Sequence, residues 1–185
     1  MKKNLLIIVG PTAVGKTEIS IPIAQELNGE IISADSMQVY KKMDIGSAKP
    51  TEAEKQNIPH YLMGDIDPRK SFSVAQFQKN AKRYIEVILK KNKLPIIVGG
   101  TGLYVNSIIY RMDFTQTEAN WELRRKLKED AKIYGNQYLH KQLKHLDNDV
   151  ASRIHPNNVK RVIRAIEVIK EGDETIKDFK SEIVE

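Results

Sequence analysis

The sequence has 185 residues and no cysteine, with 41% hydrophobic and 29% charged residues. These values are typical of one soluble globular domain carrying at most one inserted subdomain, and the lack of cysteine excludes disulfides and thiolate metal sites. The lack of cysteine also agrees with a cytoplasmic location, which we expect. No stretch has the length of a membrane span, so we expect no membrane partner, and the net charge of +6 favours a polyanionic partner.

The first predicted element is a buried strand that runs directly into a glycine-rich loop. Apolar residues 5–9 precede the spacing G-x-x-x-x-G-K-[ST], supplied here by Gly10, Gly15, Lys16 and Thr17. Glycines let backbone N–H groups point at phosphate oxygens, and the following helix adds the positive end of its dipole. Lys16 would neutralise the terminal phosphate, and the Thr17 hydroxyl would bind Mg²⁺. A chance glycine turn is disfavoured, because strand, loop and helix follow in the order that phosphate binding requires.

Further strands and helices alternate after this loop. Apolar spacing predicts a helix over 16–27, a strand over 30–33, a capped helix over 73–91, a strand over 94–98 and a helix over 103–110. Residues 37–67 are predicted to be ordered loop with short helical pieces. Alternating strands and helices imply right-handed parallel crossovers. We therefore predict an α/β fold with a P-loop-type parallel sheet of three strands, flanked by helices.

The chain changes character after Phe114 and becomes charged and helical in pattern. Helices are predicted over 118–134, over 138–146 and from a start within 155–158 to about 169, and the first would bury Trp121, Leu127, Ala131 and Tyr134. We predict a core over 1–114, an inserted all-helical subdomain over 115–172 and a return toward the core over 173–185. The basic faces of the subdomain would be either solvated surface or a grip on an RNA backbone: Arg124, Arg125, Lys160, Arg161 and Arg164.

Several polar residues follow the predicted strands at the edge of the sheet where ligands bind. Asp35 would be an indirect Mg²⁺ ligand or a general base, or would only cap a turn or a helix. The strand over 94–98 ends in Gly99 and Gly100, where most P-loop NTPases have an acidic residue, and two glycines permit close backbone approach instead. Thr101 would offer its hydroxyl to a phosphate or base, or would cap the helix behind it.

Six segments occur in an order that resembles one enzyme family: Gly10–Thr17, Ser33–Tyr40, Met43–Pro50, Pro59–His60, Gly99–Tyr104 and Arg153–Asn157. Over residues 5–170 the sequence resembles the tRNA dimethylallyltransferases, also called tRNA isopentenyltransferases. The resemblance implies transfer of a prenyl group from dimethylallyl diphosphate to N6 of the adenosine 3′ of the anticodon of tRNA. It also implies that the chain is the first part of a longer protein, whose later part completes the sheet and supplies an arginine that stabilises the leaving diphosphate.

The resemblance implies a role for individual residues by matched position. The diphosphate would be held by Gly10, Thr12, Ala13, Val14, Gly15, Lys16 and Thr17, with Mg²⁺ as the cofactor on Thr17. Asp35 would take the proton from N6. The implied tRNA contacts, centred on the anticodon stem-loop, are Asp35, Ser36, Met37, Gln38, Thr101, Arg124, Asn158, Val159, Lys160 and Arg161. We expect the protein to act as a monomer.

Two other functions agree with parts of the sequence. A small P-loop kinase would use ATP, with Asp35 as the base for a substrate hydroxyl and with arginines of the helical subdomain closing over the phosphates. A non-catalytic RNA-binding module would keep the loop only as a remnant, but Lys16 and Thr17 are both intact. The ordered motifs favour the transferase.

Overall fold

A computed structural model describes residues 4–110, 112 and 119–171, which belong to two compact units. The described part of the first unit contains a parallel sheet with flanking helices, and that of the second is helical. The predicted boundaries at 114/115 and 172/173, and the predicted return over 173–185, lie outside the described residues. No helix within the described ranges is long and apolar enough to cross a bilayer.

Four parallel strands form the sheet of the first unit: β1 (Leu6–Val9), β2 (Gly29–Ser33), β3 (His60–Tyr61) and β4 (Leu94–Gly99). Their order is β1-β4-β2-β3, so β4 lies between the strand that leads into the phosphate loop and the strand that leads to Asp35. The predicted parallel α/β sheet is confirmed. The predicted number of three strands is wrong, because β3 has only two residues and is too short to show a periodic pattern.

Helices α1 (Lys16–Glu26), α3 (Val74–Lys90) and α4 (Gly102–Ile109) cover the two faces of this sheet. The short helix α2 (Glu52–Lys55) buries no residue. Successive strand residues point to opposite faces. Accordingly Ile32 and Ile97 pack with Phe77 of α3, whereas Ile31 and Ile96 pack with Ile21 of α1. The predicted capping box of α3 is present, since Ser73 and Gln76 exchange side-chain to backbone hydrogen bonds.

The second unit packs four helices around one apolar core: α5 (Trp121–Tyr134), α6 (Asn136–Leu146), α7 (Asn148–Ser152) and α8 (Val159–Lys170). Leu127 and Ala131 are buried as predicted, but Trp121 is 69% and Tyr134 61% exposed. At 100° per residue, Trp121 lies about 120° from Leu127 around the helix. Tyr134 is the last residue of α5 and packs against Tyr138 of α6 instead.

A buried carboxylate joins strands and helix at the amino end of the sheet. The Glu30 side chain is 2% exposed and accepts hydrogen bonds from Lys91 at 2.9 Å, Lys93 at 2.9 Å and the Tyr61 hydroxyl at 2.7 Å. Burial alone would raise the pKa of Glu30, but the bonds from Lys91, Tyr61 and Lys93 outweigh burial and hold the pKa below its usual 4.5. Because the pKa of Glu30 is lower in the folded than in the unfolded protein, ionised Glu30 stabilises the fold at pH values above the unfolded-state pKa. This stabilisation is lost as the pH falls through the folded-state pKa.

We expect Glu30→Gln to lower the free energy of unfolding at pH 7 by about 1–3 kcal/mol, because two ammonium groups lose a charged acceptor. The difference in unfolding free energy between the two proteins should shrink as the pH falls below 4.5 toward the lowered pKa of Glu30, because Glu30 itself then becomes protonated. Chemical denaturation followed by circular dichroism at pH 7 and pH 3.5 (about one unit below the usual value) measures both effects. Glu52→Gln is the control, since the Glu52 side chain is 90% exposed in its ion pair with Lys55. An equal loss in both variants at pH 7 would contradict the assignment.

Candidate functional site

The loop from Gly10 to Thr17 connects β1 to α1, as predicted. Gly15 has a φ of 82°, a left-handed conformation that favours glycine, and no side chain caps α1 at this position. The N–H groups of the first helical turn therefore remain available to an anion. The Lys16 ammonium donates a hydrogen bond to the Pro11 carbonyl at 2.5 Å, so its charge already lies over the loop. A bound phosphate would replace this carbonyl as its partner.

A cleft of about 600 Å³ opens beside the loop within the first unit. This volume is in the range of small-molecule sites. One wall is formed by the phosphate loop and the start of α1, another by Asp35 and Gln38 after β2, and a third by residues 47–50. Of the rim predicted from the strand ends, residues 12–13 and 15–17, Asp35 and Gly99 line this one cleft.

Asp35 follows β2 and lines this cleft. Its Oδ1 accepts the backbone N–H groups of Met37 at 2.8 Å and Gln38 at 3.1 Å. Its Oδ2 makes no hydrogen bond to any described residue. One carboxylate oxygen therefore holds a turn, as one of the predicted alternatives required, and the other remains available for a ligand or a proton.

Close contact between two backbones brings the end of β4 to Asp35. The Ala34 N–H donates to the Val98 carbonyl at 2.8 Å, and the Thr101 N–H donates to the Ala34 carbonyl at 3.1 Å. A Cβ atom on Gly99 would lie 2.2 Å from the Ala34 oxygen, so only glycine is compatible with this approach. The backbone proximity that the Gly99–Gly100 pair permits is therefore present.

Thr101 does not cap α4 with its side chain. Its Oγ1 instead accepts the N–H of Ser36 at 3.0 Å, which leaves the hydroxyl proton free to be donated. In the same cluster, burial together with the charges of Tyr40 and Asp35 raises the pKa of Tyr104 to about 12. The Thr101 hydroxyl is therefore a proton donor beside the Asp35 turn.

The wall formed by residues 47–50 contains one functional candidate that sequence reasoning missed, Lys49. Gln38 joins it to the sheet, because its amide accepts from Ser33 Oγ at 3.1 Å and donates to the Ser47 carbonyl at 3.1 Å. Lys49 is 8% exposed and donates to the Tyr40 carbonyl at 2.8 Å and to Asp44 at 2.6 Å. The available signal was a lysine beside a proline, five residues after an aspartate, within a segment already singled out.

The remaining predicted RNA contacts belong to the helical unit. Arg124 donates two hydrogen bonds to Glu167, both at 2.8 Å, and Glu167 is fully buried. Burial would raise the pKa of Glu167, but the bonds from Arg124, Arg164 and the Asn120 N–H outweigh it and lower that pKa. Arg124 thus has a structural partner, which the sequence did not indicate.

The predicted segment from Asn158 to Arg161 forms the start of α8. Asn158 caps the helix by accepting the Arg161 N–H at 3.4 Å, and Val159 is half-buried against the helical core. Lys160 and Arg161 are exposed. Among the predicted residues, the structure brings Asp35, Ser36, Met37, Gln38 and Thr101 together beside the phosphate loop.

The sheet, the glycine-rich loop and the cleft define an α/β protein of the phosphate-binding-loop class. A family model described as IPP transferase matches residues 38–184, which is most of the sequence. The chain belongs to the IPP transferase family.

Curated relatives and solved structures agree with this membership. The chain is 58% identical over 183 residues to a tRNA dimethylallyltransferase of Alkaliphilus metalliredigens and 60% identical over 183 residues to one of Alkaliphilus oremlandii; each match covers 99% of this chain, and 59% and 58% of the relative. The structure is similar to the full-length tRNA isopentenylpyrophosphate transferase of Bacillus halodurans, with a TM-score of 0.61, 50% identity and coverage of 91% of this chain and 56% of that one. It is also similar to a eukaryotic dimethylallyltransferase acting on tRNA, with a TM-score of 0.82, 34% identity and coverage of 98% and 46%. The chain thus spans less than three fifths of the length of the curated relatives it matches.

We expect Gly99→Ala to lower the free energy of unfolding by about 3 kcal/mol or more, because the added methyl group meets backbone atoms that have no space to move. Gly102→Ala is the matched control, since a Cβ at the first residue of α4 meets nothing within 4 Å and alanine favours helix. Denaturant titration of both variants measures the difference. Equal stabilities would show that β4 and the Ala34 segment can separate without cost.

Proposed function

We propose that this chain supplies the phosphate-binding core and a helical RNA-binding unit of an enzyme that transfers a dimethylallyl group from dimethylallyl diphosphate to N6 of the adenosine 3′ of the anticodon in tRNA. The family and the names of the relatives support the class of reaction. The observation that carries the proposal is that Lys16 and Asp35 line the same cleft. The Lys16 ammonium could bind a diphosphate, and the Asp35 carboxylate could accept a proton.

The proposed transfer needs one bond to form and one to break. The N6 lone pair attacks C1 of the dimethylallyl group, the C1–O bond breaks, and its electron pair leaves with the diphosphate. The proton lost from N6 passes to the Asp35 oxygen that makes no hydrogen bond to a described residue. Lys16 and the N–H groups at the start of α1 then stabilise the negative charge that grows on the diphosphate.

The residues at the loop are compatible with Mg²⁺. The Thr17 hydroxyl makes no hydrogen bond within the described part of the chain, and Mg²⁺ prefers oxygen ligands and substrate phosphates. No group of three or more acidic or histidine side chains among the described residues could hold a metal ion alone. The ion would therefore be held by Thr17 and the diphosphate, and it would supply positive charge to the leaving group.

The target adenine must leave the base stack to reach Asp35. Enzymes that modify a base take it out of the stack and hold it between side chains. Ser36 and Met37 are exposed on the turn that Asp35 caps, and the free hydroxyl proton of Thr101 lies beside them. These groups are suited to contact the flipped base, whereas the Gln38 amide is already bound to Ser33 and Ser47.

A kinase would require additional positive charge over the transferred phosphate. The described lining of the cleft contains Lys16 and Lys49 but no arginine, and the Lys49 ammonium is paired with Asp44. The end of β4 also lacks the acidic residue that would position water or a metal ion. The glycine end of β4 supports a reaction in which no water is activated.

Titration calorimetry with dimethylallyl diphosphate and, separately, with ATP tests the donor, with Mg²⁺ present in both. We expect tighter binding of the prenyl diphosphate, and we expect Lys16→Ala to weaken it roughly 10–100-fold through loss of a charged hydrogen bond. Lys90→Ala, at the exposed end of α3, should change nothing. A clear preference for ATP would favour the kinase. Failure to bind either compound would favour the RNA-binding module.

Replacing Asp35 by asparagine separates its two roles. Asparagine keeps the oxygen that accepts from Met37 and Gln38, so the turn and the affinities for RNA and prenyl diphosphate should remain. The rate of transfer of labelled dimethylallyl to an anticodon stem-loop RNA should fall about 100-fold or more, the usual scale for a general base. Asp35→Ala, which also removes the turn acceptor, should lose affinity as well. A parallel loss of affinity in Asp35→Asn would mean that the role is structural.

A further inference from the structure

Trp121, the only tryptophan of the sequence, is exposed at the start of α5. Trp121 begins α5 with 69% of its surface exposed, although a tryptophan normally contributes to a core. The Arg124 guanidinium lies 5.2 Å from its ring centroid, and Arg124 is itself held by two hydrogen bonds to the buried Glu167. The contact with the fixed Arg124 guanidinium restricts the indole on one side, and the rest of the indole surface is open to solvent.

Three cations continue from this tryptophan along one face of α5. Arg125, Lys128 and Lys132 follow it at spacings of four, seven and eleven residues, which place them on the same helical face. All three are exposed, and none forms an ion pair or a hydrogen bond with a described residue. Consecutive members lie about 5–6 Å apart along the helix. We call Trp121, Arg125, Lys128 and Lys132 the α5 stripe.

The acidic residues of α5 lie beside or opposite this stripe and not within it. Glu122 and Glu129 lie roughly 80–100° around the helix from Trp121, next to Arg125 at spacings of three and four residues, and Asp130 lies roughly opposite Trp121, at 100° per residue. Because Arg125, Lys128 and Lys132 form no ion pair with a described residue, the helix presents one positive face headed by an aromatic ring. An aromatic ring next to a row of cations is the combination by which proteins bind single-stranded nucleic acid, with a base stacked on the ring and phosphates on the cations.

We propose that the α5 stripe is an RNA-binding surface on which Trp121 stacks an unpaired nucleobase and Arg125, Lys128 and Lys132 contact backbone phosphates. The proposal rests on the proposed function, in which tRNA is the acceptor. The proposal makes Trp121, which the sequence pattern had assigned to the core, a contact for RNA. Arg124, held by Glu167, would then position the indole. A protein partner is disfavoured, because Lys is depleted at protein interfaces and the stripe carries two lysines.

The single tryptophan makes this contact directly measurable. Titrating the whole chain with an anticodon stem-loop RNA should quench the fluorescence of Trp121, because a stacked base covers the indole. With a labelled RNA and anisotropy as the readout, Trp121→Ala should weaken binding about 5–100-fold, the usual range for a stacked base. Trp121→Phe keeps a ring and should recover most of the affinity. Ile133→Ala is the matched control, since Ile133 is exposed on another face of α5.

The cations are tested by the dependence of affinity on salt. Each lost phosphate contact should reduce the slope of log K against log salt concentration by about 0.7, so Arg125→Gln and Lys128→Gln should each show this decrease. Lys126→Gln, an exposed lysine of the same helix outside the stripe, should leave the slope unchanged.

The proposal is overturned if Trp121→Ala binds the RNA as tightly as the unsubstituted chain, or if the unsubstituted chain binds no RNA. Because Trp121 is mostly exposed, Trp121→Ala should unfold at the same temperature as the unsubstituted protein, which separates a binding effect from a folding effect. Calorimetry with dimethylallyl diphosphate on the same samples distinguishes failure of the stripe from failure of the proposed function. Retained diphosphate binding with unaltered RNA binding would reject the stripe alone.

Discussion

The contact between the Gly99 backbone and the Ala34 carbonyl is the constraint on which the site of the first unit depends. A Cβ at position 99 would lie 2.2 Å from that oxygen, so β4 and the segment after β2 can meet only through glycine. This contact holds the Thr101 and Asp35 segments together, and Ser36 then donates its N–H to the Thr101 hydroxyl. Since β4 also pairs with β1, the same strand sets the position of the phosphate loop.

Asp35 shows how one side chain can serve both structure and chemistry. The oxygen bound to Met37 and Gln38 fixes the orientation of the carboxylate, and the other oxygen faces no competing donor among the described residues. Orientation by backbone N–H groups costs no reorganisation when a substrate arrives. The general-base alternative and the turn alternative are therefore compatible, and each accounts for one oxygen.

Each unit also contains a buried carboxylate with paired cations. Glu30 joins β2 to Lys91 and Lys93, and Glu167 joins α8 to Arg124 on α5. A buried charge that loses its partners is costly, so such groups oppose alternative packings of their elements. In the helical unit this has a functional consequence, because the arginine held by Glu167 lies against the ring of Trp121.

The local order of residues was enough to determine the phosphate loop, the parallel α/β class, the capped α3 and the placement of Asp35 and Thr101 at one rim. These features depend on short-range spacing and on the rule that parallel strands end at one edge. Only the tertiary structure decided that β3 joins the sheet, that Lys49 and Gln38 build a wall of the cleft, that Arg124 is bound by Glu167 and that Trp121 faces solvent. Each of these depends on a partner distant in sequence or on the exact face a helix buries, and local spacing carries no information about either.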